Sequence, residues 1–193
     1  MQDCELLSCF FYLDNPFKSY HTDIGYVFFG AMGGDGQEKL KVALMKCSKS
    51  SVVPGGSLPA VKNAVRILGP KAVFSVGTCS GLTSEKTKLG DVVLSSKLTT
   101  PAFKTPVSRN IGNLIKHAAD GWIAPLETPD EQEVRVHCDA NVLSQEHVAT
   151  LQGPYEDISN QFADAAAFDT EAGGKSLVII QCQCANLKKS NYN

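Results

Sequence analysis

The segment Gly77-Thr-Cys-Ser-Gly81 is where residue types and spacing in this sequence could do chemistry. Two glycines bracket Thr78, Cys79 and Ser80, so a turn there can aim backbone N–H groups and the Thr78 hydroxyl at one small anion. The same residues also suit a tight turn that merely needs glycine. Glu171 is the last acidic residue of the chain, and on its own it reads as a surface carboxylate at a strand end. The four histidines (His21, His117, His137, His147) are scattered, with no serine or cysteine at a spacing that would build a hydrolytic triad. His117 falls on a helix and His137 on the outward side of a strand. Seven cysteines include no Cys-x-x-Cys pair, so no metal site is read. Gly30, Gly33, Gly34 and Gly36 could form a phosphate-cradling loop. The segment after them alternates like a strand instead of opening a helix, which favours a hairpin.

The positioning elements follow from periodicity. Ile24 to Gly30 and Leu40 to Cys47 read as strands, the second with unequal faces because Leu40, Val42 and Leu44 alternate with Lys41 and Ala43. Ser57 caps a helix that carries Leu58, Val61, Val65 and Leu68 on one face. Pro59 is tolerated in its first turn, and Gly69-Pro70 ends it. Lys71 to Val76 follows as a buried strand that breaks into the Gly77 turn. A helix feeding such a strand is the pattern of an open α/β sheet, where ligands sit at the carboxyl ends of strands. Asp91 to Leu98 reads as a further strand. Ser108 caps a helix with Ile111, Leu114, Ile115 and Ala118, closed by Gly121. Glu133 to Cys138 reads as a strand, Ala165 to Phe168 is small and apolar, and Leu177 to Cys184 is the last strand. Cys182 and Cys184 share one face of it and behave as small hydrophobes.

The sequence of 193 residues is 43% hydrophobic and 20% charged, which suits one globular domain. A net charge of −2 and the lack of a basic stripe argue against a nucleic-acid partner. Lys39, Lys41, Lys46 and Lys49 read as a solvated strand face. The apolar stretch Leu6 to Leu13 is too short to span a bilayer, so no membrane partner is expected. No Asn-x-Ser/Thr sequon occurs, and the odd number of cysteines fits a reducing compartment, the cytosol or nucleus, with a cytoplasmic location the expectation.

The stretch Ala72-Val-Phe-Ser-Val-Gly-Thr-Cys-Ser-Gly-Leu82, followed by Leu89-Gly-Asp-Val-Val-Leu-Ser-Ser-Lys97, resembles the central signature of the nucleoside phosphorylase superfamily. That superfamily comprises purine and uridine phosphorylases and the methylthioadenosine/adenosylhomocysteine nucleosidases. Phe168-Asp-Thr-Glu-Ala172 is similar to its Val-Glu/Asp-Met-Glu-Gly/Ala motif. Asp3-Cys-Glu-Leu-Leu-Ser8 resembles the acidic segment after its first strand. The chain is most similar to invertebrate members, in which this domain can sit inside larger signalling proteins. The resemblance implies a three-layer αβα fold with a mixed central sheet, and a single domain over residues 1–193. It also implies a core strand ahead of Asp3 that the sequence lacks, and a helix after Glu171 shortened to Ala172-Gly-Gly-Lys-Ser176.

What the resemblance implies chemically is cleavage of an N-glycosidic bond in a nucleoside. Glu171 corresponds to the carboxylate on the ribose hydroxyls, and Thr170 stands where methionine usually packs on the sugar. Gly77, Thr78, Cys79 and Ser80 line the substrate turn. Phosphorylases carry an arginine just ahead of that turn, and Ser75 occupies its place, which favours water over phosphate as nucleophile. Glu5 corresponds to the nucleosidase carboxylate that orients water. No cofactor is implied, with phosphate the alternative co-substrate. The family's general acid is an aspartate after the last core strand, whereas this chain has Val178-Ile-Ile-Gln-Cys-Gln-Cys-Ala-Asn186 there. Losing a general acid costs on the order of 10²–10⁴ in rate. The expectation is therefore a weak nucleosidase or phosphorylase, the alternative being an inactive nucleoside-binding or interaction module of a signalling protein. Family members often complete their sites across a homo-oligomer, and Arg109 and His21 are the candidates for that role.

Overall fold

The computed structural model describes residues 4–33, 39–47, 57–82, 85–99, 104–124, 133–143, 155–169 and 177–182. For 4–5, 57–58, 155–157, 169 and 177–182 it describes the backbone alone. The elements are α1 (Cys4–Phe11), β1 (Asp14–His21), β2 (Gly25–Met32), β3 (Leu40–Lys46), α2 (Ser57–Leu68), β4 (Pro70–Val76) and β5 (Cys79–Gly81). There follow β6 (Val92–Thr99), β7 (Lys104–Pro106), α3 (Arg109–Lys116), β8 (Val136–Leu143), α4 (Tyr155–Gln161), β9 (Ala165–Asp169) and β10 (Leu177–Cys182). They form two compact units, one running from Thr78 to Thr170 and the other holding the chain on either side of it.

The first unit is built on a five-stranded sheet of order β1-β2-β3-β10-β4, every pair antiparallel. Its central strand β3 is covered on both faces, with Val42, Ala43, Leu44 and Met45 at most 4% exposed. Ala43 and Met45 meet Ala64 and Leu68 of α2, while Val42 and Leu44 cluster with Leu13 and with Leu6 and Phe10 of α1. Helix, sheet and helix thus make three layers around the strand. Fully burying a side chain the size of Leu44 or Met45 stabilises by about 1.5–3 kcal/mol each.

Several sequence expectations change here. Leu40 to Cys47 was expected to have unequal faces, but a strand buried on both sides reads as a continuous apolar run. Val65 turns away from the α2 core face and is 46% exposed, because the inward set is Val61, Ala64 and Leu68. Ser57 is the first residue of α2 and not the flanking cap. The strand ahead of the Gly77 turn is an edge strand: Val73 and Phe74 are 41% and 39% exposed, and its sheet neighbour β10 runs antiparallel. The β1–β2 hairpin went unread because Asn15, with φ of 46°, and Pro16 interrupt its pattern. Cross-strand rings hold it, with Phe17 stacked on Phe29 at 5.3 Å and Tyr20 edge-on to Tyr26 at 5.0 Å.

In the second unit the sheet order is β5-β9-β8-β6-β7. The inner strands β9, β8 and β6 are mutually parallel, and β5 and β7 close the edges antiparallel. Leu82, Leu143, Ile158, Ala165 and Phe168 form its core. The fold class is mixed α/β with a mixed sheet, as the sequence indicates. Ser108 does cap α3, its hydroxyl accepting the Ile111 N–H. The strand expected at Glu133 to Cys138 begins later, at Val136. The residues before it are drawn aside, Arg135 pairing with the turn that opens β6.

Candidate functional site

Gly77 and Thr78 leave β4 and lead into β5, which pairs with β9 in the register Cys79 to Asp169, Ser80 to Phe168 and Gly81 to Ala167. Because β5 is antiparallel to β9, its first residue lies at the carboxyl end of a parallel strand. That is the end at which ligands bind in open α/β sheets. Cys79 is exposed there and Ser80 half-buried. Thr170 and Glu171 follow Asp169 directly in the chain and lie outside the described residues. Glu5 falls on α1, with its side chain likewise outside them. Ser75, which the sequence reading sets against the phosphorylase arginine, is exposed on β4.

The far end of β5 is braced by residues that composition alone does not single out. Any Cβ at Gly81 would collide with the Thr87 hydroxyl, so glycine is required by close approach. Thr87, 8% exposed, donates to the Ala166 carbonyl at 3.4 Å, and the Leu82 N–H donates to the same carbonyl at 3.2 Å. Lys86 caps the carbonyl of Ala163 at 2.8 Å. The loop that follows β5 therefore clips β5 to the start and middle of β9.

A second brace uses the aspartate of Leu89-Gly-Asp91. Gly90 takes φ of 94°, and the Asp91 carboxylate, 3% exposed, turns back into the sheet. It accepts the Lys88 N–H at 2.8 Å, the Arg135 N–H at 3.1 Å and His137 Nε2 at 2.8 Å. A carboxylate can only accept, so Nε2 carries the proton. The hydrogen bond from His137, with those from the backbone, holds the Asp91 carboxyl at about 2 against an ordinary 3.8. His137 is thus turned inward, 24% exposed, and not outward as its strand position suggested. The pair is a structural lock between β6 and β8. Its signal in the sequence was an aspartate opening an apolar run directly after glycine.

A buried polar network occupies the other end of β9. Thr99 and Asn141, 2% and 3% exposed, bond across β6 and β8 at 2.9 Å. Asn141 also donates to Asp164 at 3.3 Å, and Lys97 reaches the same oxygen at 2.8 Å, which lowers the Asp164 carboxyl pKa. Of the other sequence candidates, His21 accepts the Asp23 N–H at 3.1 Å and so shapes the β1–β2 turn. His117 pairs with Asp120 on the surface, and Arg109 opens α3. Lys39 pairs with Asp14 at 2.7 Å on an exposed surface, in keeping with a solvated face. Among the described residues no group of histidine, cysteine or acidic side chains could hold a metal, and no helix is long and apolar enough to cross a membrane.

No protein-family model matches the sequence, and neither does any curated protein. The fold does match solved structures. One is a candidate methylthioadenosine nucleosidase from Weissella paramesenteroides, with a TM-score of 0.53 and 13% identity over 90% of this chain and 73% of that one. Another is a candidate 5′-methylthioadenosine/S-adenosylhomocysteine nucleosidase from Borrelia burgdorferi, solved with adenine bound. Its TM-score is 0.52, with 15% identity over 88% of this chain and 73% of that one. The chain has the nucleoside phosphorylase-like fold of these proteins, which bears out at the level of fold the resemblance read from the Gly77 signature.

Proposed function

We propose that a chain with this nucleosidase fold binds a nucleoside at the Gly77 turn and hydrolyses its N-glycosidic bond slowly. The observation that carries the reading is the pairing of Cys79 with Asp169, which sets the entry to β5 beside the strand end from which Thr170 and Glu171 continue. In this reading Glu171 accepts the two ribose hydroxyls and favours the cationic sugar of the transition state. Thr78, Cys79 and Ser80 line the sugar side, Thr170 takes the place of an apolar lid on the ribose, and Glu5 orients the attacking water. Water adds to the anomeric carbon and gives up a proton to solvent, while the bond to the base nitrogen breaks and the bonding pair leaves with the base. In this reading the proton that the base needs comes from solvent, since Val178 to Asn186, which stands at the place of the family's acid, holds no acidic residue. A rate lower by about 10²–10⁴, or about 3–5 kcal/mol in barrier, is the corresponding cost.

The missing acid is also what favours the second reading, a domain that binds nucleosides without turning them over. Incubation with adenosine, methylthioadenosine, inosine and uridine, with and without phosphate, separates the two. Phosphate-independent release of free base that disappears in Glu171→Gln supports hydrolysis. Calorimetric binding without release supports the silent module. Neither binding nor release would sink both.

A further inference from the structure

The second unit carries a cleft of about 570 Å³ that the nucleoside reading does not use. One wall is α3, whose Arg109, Asn113 and Lys116 stand at i, i+4 and i+7 and share a face. Helical rise sets the two cationic residues about 10 Å apart along the axis, and both side chains are long enough to converge over Asn113. The facing wall is the sheet, where Ser96 of β6 and Asp139 of β8 stand beside the Lys97–Asp164 ion pair. Beneath them Asn141 is fixed by Thr99 and Asp164, so that wall is set before any ligand arrives.

Among the described residues Arg109, Lys116 and Asp139 have no hydrogen-bond or ion-pair partner. Two unmatched cations against one unmatched carboxylate call for a ligand that is net negative and also donates hydrogen bonds. A phosphate monoester supplies close to two charges at neutral pH, and sugar hydroxyls supply donors. The volume lies within the roughly 300–1,000 Å³ of small-molecule sites. No lining residue is aromatic, so a nucleobase would find no ring to stack on.

We propose that this cleft binds a phosphorylated sugar, its phosphate held by Arg109 and Lys116 and its hydroxyls by Asp139 and Ser96. The site is separate from the Gly77 turn. Asp164 stands just ahead of the amino end of β9, and Asp169 at the other end is about 17 Å away at the rise of an extended strand. The assignment also gives Arg109 a role within its own unit.

Titration calorimetry with glucose 6-phosphate, inorganic phosphate, glucose and adenosine monophosphate tests this, and scoring only binding that depends on Arg109 keeps the outcome apart from the hydrolase reading. Glucose 6-phosphate should bind about tenfold tighter than phosphate or glucose, through added charge-assisted and hydroxyl hydrogen bonds. Arg109→Gln and Lys116→Gln, both at exposed positions, should each weaken it about tenfold with the circular dichroism spectrum unchanged. Asp139→Asn should weaken glucose 6-phosphate while leaving inorganic phosphate as it was. The proposal fails if glucose 6-phosphate binds no better than phosphate, or if the α3 variants bind it normally. It fails too if adenosine monophosphate is the preferred ligand of the Arg109-dependent site.

Discussion

Replacing Asp91 by alanine tests whether the lock between β6 and β8 holds the second unit together. The carboxylate is 3% exposed and accepts from Lys88 N, Arg135 N and His137 Nε2 at 2.8, 3.1 and 2.8 Å. Hydrogen bonds to a charged group contribute about 1.5–3 kcal/mol each, but the Lys88 and Arg135 amides lie where water can reach them once the carboxylate is gone. The loss should therefore be about 3 kcal/mol and not the sum of three full bonds. Asp91→Asn keeps one acceptor oxygen in the position that serves Lys88 and His137, and should cost about half as much. Acid supplies an independent measure. A carboxyl held at about 2 in the fold against 3.8 when free stabilises by about 2 kcal/mol. Because the folded value is the lower one, that stability is complete above about pH 4 and is lost as the pH falls to about 2. Urea unfolding of wild type, Asp91→Asn and Asp91→Ala across this range reads both quantities. The variants should lie below wild type at neutral pH and converge with it in acid. An alanine variant within about 0.5 kcal/mol of wild type would refute the lock, as would parallel acid profiles in wild type and variants.

Four other outcomes follow from particular contacts. Gly81→Ala should destabilise by about 1–3 kcal/mol through collision with the Thr87 hydroxyl, and a double-mutant cycle with Thr87→Ala should recover part of that loss. Leu44→Ala, at 0% exposure on the sheet face that α1 covers, should cost about 2–5 kcal/mol of unfolding free energy in urea titration. Lys97→Met removes the main partner that lowers the Asp164 pKa, so the Asp164 carboxyl resonance should titrate at higher pH in the variant. Burial pushes the Cys47 thiol up to about 11, so neutral iodoacetamide should modify exposed Cys79 and leave Cys47 intact in the folded protein, as peptide mass mapping would show.

The sequence was legible where one residue type answers a local backbone demand, and opaque where the partner is distant. Gly81 and Gly90 stand out because a close approach and a positive φ leave few alternatives, and they sit near where the chain passes from one strand to the next. Ser108 was readable as a cap for the same local reason. By contrast, β10 enters the first sheet between β3 and β4, more than a hundred residues along the chain from either, and no local pattern records that insertion. His137 was misplaced because strand alternation gives a face but not a neighbour, and its neighbour lies 46 positions earlier. The polar network of Thr99, Asn141 and Asp164 was missed likewise, since its members come from three separate segments. Local signals thus singled out the Gly77–Gly81 segment and the acidic motif that continues from β9. Only the register of β5 against β9 brings the first of these to the strand end that leads into the second, and nothing in either segment alone encodes that pairing.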